Sequence, residues 1–139
     1  MKKETIAEEI YQLLVLKLGK RIAHFFDKGF QGLFLILRYI SSKEEDGASP
    51  GEIASSLSFT TPRVAVALRN LENKNLIHRE QEKEDRRKYR VYITEKGKKA
   101  LEQREEECLH KLERHLQCLS QGEQMQLMKI LGKMWTMDA

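Results

Sequence analysis

The stretch Glu84-Asp85-Arg86-Arg87-Lys88-Tyr89-Arg90-Val91-Tyr92-Ile93-Thr94-Glu95-Lys96-Gly97 changes character twice within fourteen positions. It opens as a run of charge, then alternates Tyr89, Val91 and Ile93 against Arg90 and Tyr92, a period of two that predicts a strand. It closes on Thr94, a residue type that caps helices. Leu76 to Gln81 is a second β-prone run, and the polar segment Glu82 to Lys88 lies between the two. The pattern predicts a β-hairpin with a charged tip, followed by a helix.

On both sides of this hairpin the spacing is helical. Upstream, Ser49-Pro50-Gly51-Glu52 combines a Ser N-cap, a Pro at the first helical position and a Glu three residues after the cap, a helix start that runs to about Leu57. Ser58-Phe59 makes a tight connection, and Thr60 caps a second helix with Pro62 tolerated in its first turn. That helix carries Val64, Leu68 and Leu71 on one face and ends near Asn73, with Asn75 suited to a left-handed stop. Further out, Phe30 to Ser42 reads as a largely buried helix. Glu4 to about Phe26 reads as an amphipathic one carrying Ile6, Ile10, Leu13, Leu14, Ile22, Phe25 and Phe26, broken by Asp27-Lys28-Gly29. Downstream, Thr94 opens a long helix with Leu101, Cys108, Leu112, Leu116 and Leu119, and Ser120-Gln121-Gly122-Glu123 opens a last one through Met125, Leu127, Met128, Leu131, Met134 and Trp135.

The fold class is therefore mainly α with a small β-hairpin wing: a winged helix-turn-helix over about 30–94, flanked by terminal helices over about 4–26 and 95–136. The 139 residues suit a single domain. The net charge of +4 is concentrated, since residues 78–99 hold nine basic against five acidic residues while the remainder is balanced. A local excess of this kind suits a polyanion. The longest apolar stretches, Leu13 to Leu16 and Gly32 to Leu37, fall far below the roughly 20 residues of a bilayer helix. Met1-Lys2-Lys3-Glu4 carries no secretory signal pattern, which leads us to expect a cytoplasmic location.

A helix-turn-helix followed by a charged hairpin suits duplex DNA, with the second helix in the major groove and the first bracing it. With Val64, Leu68 and Leu71 inward, the opposite face presents Arg63, Val66, Arg69, Asn70 and Asn73, and Thr60 and Thr61 stand at the N-terminus, where free amides favour a phosphate. Pro62, Ala65 and Ala67 offer few base hydrogen bonds, so specificity should lean on Arg63, Asn70 and DNA shape.

The run from Asp85 to Gly97 resembles the wing signature of the MarR family, Asp-x-Arg followed by a strand and then Leu-Thr-x-x-Gly, with Ile93 in place of Leu. Ser49-Pro50-Gly51-Glu52-Ile53-Ala54 and Leu71-Glu72-Asn73-Lys74-Asn75-Leu76-Ile77 resemble the family's two helix segments, with Asn75 where Gly is common. The resemblance implies that Arg87 enters the minor groove and that Asp85 fixes it through an ion pair. Arg86, Lys88 and Lys83 are expected at phosphates at most.

The resemblance also implies a regulator, expected to be a repressor, that acts as a homodimer on a pseudo-palindromic operator. The terminal helices, with Ile6, Ile10, Leu13, Leu112, Leu116, Leu119, Leu127, Leu131 and Trp135, would interlock. Control by a small-molecule or other chemical signal, a small aromatic ligand among them, is implied too. An alternative is zinc or redox sensing: Cys108, His115 and Cys118 fall within roughly an 80° arc of one helix, with His24 or an acid as a fourth ligand. Cys on an apolar stripe is more often a small core residue. His78 and His110 read as surface residues, and a disulfide between the two cysteines is not expected. A further alternative is a winged-helix protein-interaction module facing an acidic partner. No nucleophile elbow, phosphate-binding glycine loop or zinc-protease motif is present, so an enzyme is not expected, nor a cofactor.

Overall fold

The computed structural model describes residues 5–18 and 32–136. Packing divides the chain into two compact units, Met1–Gln103 and Arg104–Ala139, taken here one at a time.

In the first unit, Thr5 accepts the Glu8 N–H while Glu8 accepts the Thr5 N–H, a reciprocal cap that opens α1, Ile6–Tyr11, continued as a π-helical stretch Gln12–Leu18. Its apolar side chains Ile6, Ile10, Leu13 and Leu14 are exposed. Ile22, Phe25, Phe26, the Asp27-Lys28-Gly29 break and Phe30 lie outside the described residues.

Helix α2, Leu33–Ser42, follows Gly32, whose φ of 84° is left-handed. It buries Leu33, Ile36, Leu37 and Ile40, spaced at three and four, as its apolar sequence predicts. A 3-10 turn, Glu44–Asp46, then leads to Ala48 and to the Ser49 cap of α3, Pro50–Leu57. The capping box forms as read from the sequence: Ser49 Oγ accepts the Glu52 N–H at 3.2 Å and Glu52 accepts the Ser49 N–H at 3.4 Å. Ser58 turns left-handed at φ 55°, and the Phe59 N–H reaches back to the Ala54 carbonyl.

Thr60 then caps α4, Thr61–Asn73, through the Arg63 N–H. Asn75, at φ 60°, ends it: its N–H bonds the Glu72 carbonyl and the Leu76 N–H bonds that of Leu71, closing the helix in a Schellman arrangement.

Strands β1, Ile77–Gln81, and β2, Tyr89–Ile93, pair antiparallel, with Ile77 opposite Ile93, Arg79 opposite Val91 and Gln81 opposite Tyr89. A contact absent from the sequence reading extends this ribbon. Ala48 and Val91 exchange N–H···O bonds of 3.0 and 2.8 Å, so the segment before α3 lies along the other side of β2. The core gathers Ile36 and Ile40 of α2, Ile53 of α3, Val64, Leu68 and Leu71 of α4, and Val91, all essentially inaccessible. Full burial of a side chain of this size stabilises by about 1.5–3 kcal/mol, so this cluster outweighs the surface ion pairs.

Helix α5 spans Glu95–Leu116, and the division between units falls within it. Thr94 Oγ1 donates to the Asn75 carbonyl at 2.6 Å and accepts the Gly97 N–H at 3.0 Å, joining the end of α4 to the start of α5. Leu101 completes the core.

In the second unit, Ser120 and Glu123 form the expected capping box at the head of α6, Gln121–Thr136. The Ser120 backbone N–H, and after it the Ser120 hydroxyl, hold the Glu123 carboxyl below its ordinary range. Gln124 donates to the carbonyls of Leu116 and Leu119, which satisfies acceptors at the end of α5. Leu112, Leu127, Ile130, Leu131 and Met134 are exposed.

Candidate nucleic-acid interface

Because Val64, Ala67, Leu68 and Leu71 turn inward, α4 presents Thr61, Val66, Arg69, Asn70 and Asn73 to solvent. Val66 is half exposed, an apolar side chain left on a polar face. Ala67, read in the sequence only as a small residue offering few base hydrogen bonds, belongs to the core at 4% exposure. Arg63 is exposed but folds back, its guanidinium stacked 4.1 Å over the Phe59 ring. Thr60, also exposed, uses its hydroxyl oxygen as the helix cap.

At the hairpin tip, the Glu82 N–H bonds the Lys88 carbonyl and the Lys88 N–H bonds that of Asp85, closing the loop. Asp85 Oδ1 accepts the Arg87 backbone N–H at 3.0 Å and faces Arg87 Nε at 3.4 Å. The pairing expected between these two side chains is formed, and the Arg87 side chain is 93% exposed. Lys83, Arg86 and Lys88 are exposed around it.

Two further arginines, counted in the sequence only as charge, anchor the hairpin. Arg79 of β1 pairs with Glu72 of α4 at 2.9 Å and lies 4.1 Å over the Tyr89 ring. On the opposite face of the hairpin, Arg90 of β2 donates to the carbonyls of Asp46 and Gly47 and to the Glu52 carboxylate. The signal for Arg79 is partial, since Ile77, Arg79 and Gln81 share the strand face that turns toward α4. None existed for Arg90, whose hydrogen-bond partners lie some forty positions away.

The structure does not bring Cys108, His115 and Cys118 together as a zinc site among the described residues. His115 Nδ1 lies 2.7 Å from the Lys111 carbonyl and the Cys118 thiol points at the His115 carbonyl, each within its own helical turn. Among the described residues no cluster of three metal-ligating side chains occurs. Both cysteines are free thiols, and His24 lies outside the described residues.

A helix-turn-helix whose second helix presents a polar face, followed by a hairpin carrying a fixed arginine at its tip, defines a winged helix-turn-helix. Residues 31–89 match the model of the MarR family. The transcriptional regulator PapX of Escherichia coli is 26% identical over 96 residues, a match covering 65% of this chain and 58% of the length of PapX. A mutant of MepR of Staphylococcus aureus superposes with a TM-score of 0.75 at 25% identity over 98% of this chain and 100% of that one. A mutant of MarR from E. coli gives 0.78 at 18% identity, over 97% and 99% of the two chains, a likeness of fold. PapX and MepR are transcription regulators.

Proposed function

We propose that this protein is a sequence-specific duplex-DNA-binding transcription regulator, a repressor acting as a homodimer under the control of a small-molecule or other chemical signal. The observation that carries the reading is the tip geometry: an arginine almost wholly exposed, held at its backbone and its guanidinium by one carboxylate oxygen. A narrow minor groove concentrates negative potential, and a pre-oriented guanidinium loses less freedom on entering it. Thr61, Val66, Arg69 and Asn70 would meet the major groove, with Thr60 and Arg63 at its edge and Arg86 and Lys88 at phosphates. MepR, which this chain resembles in fold, has been solved in complex with DNA.

In this reading residues of about 30–94 read DNA, while about 4–26 and 95–136 join two copies and set their half-sites about 34–36 Å apart or a multiple of that. The exposed apolar residues of α1 and α6 support the second part. No described helix is long and apolar enough to cross a membrane, and a cytoplasmic location goes with the reading.

The test is titration of a duplex, selected from a random pool by the protein, at several salt concentrations. Affinity should fall steeply with salt, and Arg87→Ala should cost about 1–3 kcal/mol. Unchanged affinity in that variant would remove the wing from the interface.

A further inference from the structure

We propose that Arg90 is a positioning residue for DNA binding, acting through Glu52 and the loop before α3 to fix the direction in which the wing carries Arg87. The inference rests on the DNA-binding reading above. Arg90 Nε donates to the Asp46 carbonyl at 2.8 Å, Nη2 to the Gly47 carbonyl at 3.0 Å, and the Nη atoms reach the two Glu52 oxygens at 3.3 and 3.5 Å. Nη1 also stands 3.9 Å from Glu82, at the far leg of the hairpin. One guanidinium thus ties both legs of the wing to the 3-10 turn and to the head of α3.

Direct contact with DNA fits this residue poorly. Four hydrogen bonds engage its donors and its side chain is 28% exposed, against 93% for Arg87. Stability is not its main contribution either, because ion pairs with half-exposed carboxylates are worth about 0–1 kcal/mol. Its geometric effect is larger. Arg87 lies three residues beyond Arg90, at most about 10 Å of extended chain, so a tilt of about 15° at the base moves the tip about 2.5 Å. A functional side chain needs placement within about 0.5 Å. The Ala48–Val91 bridge fixes the height of β2 against the body, and Arg90 fixes its inclination.

Arg90→Met, Arg90→Lys and Glu52→Gln test this, the last keeping a side chain that can still complete the capping box. Binding of a duplex selected by the wild-type protein is measured for each, alone and combined with Arg87→Ala. Arg90→Met should weaken binding about five- to tenfold in the wild-type background and less than about twofold when Arg87 is already absent, with Glu52→Gln following it and Arg90→Lys recovering part of the loss. The slope of affinity against salt should stay unchanged for Arg90→Met. Equal losses in both backgrounds, a reduced salt slope, or no loss at all would each overturn the proposal. Should the wild-type protein select no duplex, the DNA-binding reading fails, and amide exchange then judges the tether alone. Faster exchange at Glu82 and Lys88 in Arg90→Met supports it, and unchanged exchange overturns it.

Discussion

A single oxygen, Oδ1 of Asp85, holds Arg87 at two points, its backbone N–H at 3.0 Å and its Nε at 3.4 Å. If Arg87 enters the groove as proposed, Asp85→Ala should therefore weaken DNA binding by orientation, leaving the Arg87 charge in place. Its cost should be smaller than the about 1–3 kcal/mol expected for Arg87→Ala, and the double variant should bind about as Arg87→Ala alone. Anisotropy titrations of the three variants decide it; additive losses would mean that Asp85 acts on something other than Arg87.

Gly97 is required by packing. A Cβ there would overlap the Leu76 carbonyl oxygen and stand 2.8 Å from Cγ1 of Ile93, where α5 crosses the end of the hairpin. Gly97→Ala should destabilise by about 1–3 kcal/mol. Gly132→Ala, in α6 with nothing within 4 Å of the added carbon, should instead stabilise by about 0.5–1 kcal/mol. Denaturant melts compare the two, and similar signs would contradict the packing account.

Gly32 combines a left-handed φ of 84° with crowding: an added Cβ would lie 3.0 Å from an Arg63 Nη atom and 3.3 Å from the Phe59 ring. Gly32→Ala should cost about 1–2 kcal/mol of stability through the backbone alone. Gly32→Asn tolerates that backbone better but crowds Arg63 equally. Thermal unfolding should thus separate the two variants while duplex affinity falls in both. Retained affinity in both would show that the placement of Arg63 over Phe59 does not matter to DNA.

Leu131 of α6 is 41% exposed beside Leu127, Ile130 and Met134. If these residues join two copies, Leu131→Asp places a carboxylate in an apolar contact and should weaken self-association at least about tenfold. Light scattering across micromolar concentrations reads the change. A variant that associates like the wild-type protein would place the dimer contact elsewhere.

Much of this was legible in the sequence because the governing interactions are local. The caps at Ser49, Thr60, Thr94 and Ser120, the left-handed Asn75 and the strand Tyr89–Ile93 each depend on residues within a few positions. The Asp85–Arg87 pair, though only two residues apart, was implied by the family resemblance and not by spacing. Ala67 could have been placed as well, since 64, 67, 68 and 71 complete a helical stripe, but its small side chain gave no hydrophobic signal. Arg90 and Ala48 were beyond reach for another reason. Their partners are set by how α2, α3 and the hairpin pack, and no short-range pattern encodes that.

The backbone bridge between Ala48 and Val91 has a consequence for how such a protein can change. Its bonds are made by main-chain atoms, so side-chain replacements elsewhere in the hairpin leave them in place, and residues 82–88 can vary in charge and even in number without unseating the strands. Within the hairpin the freedom to vary is thereby concentrated at the tip, while position 48, fully enclosed, should tolerate larger side chains poorly.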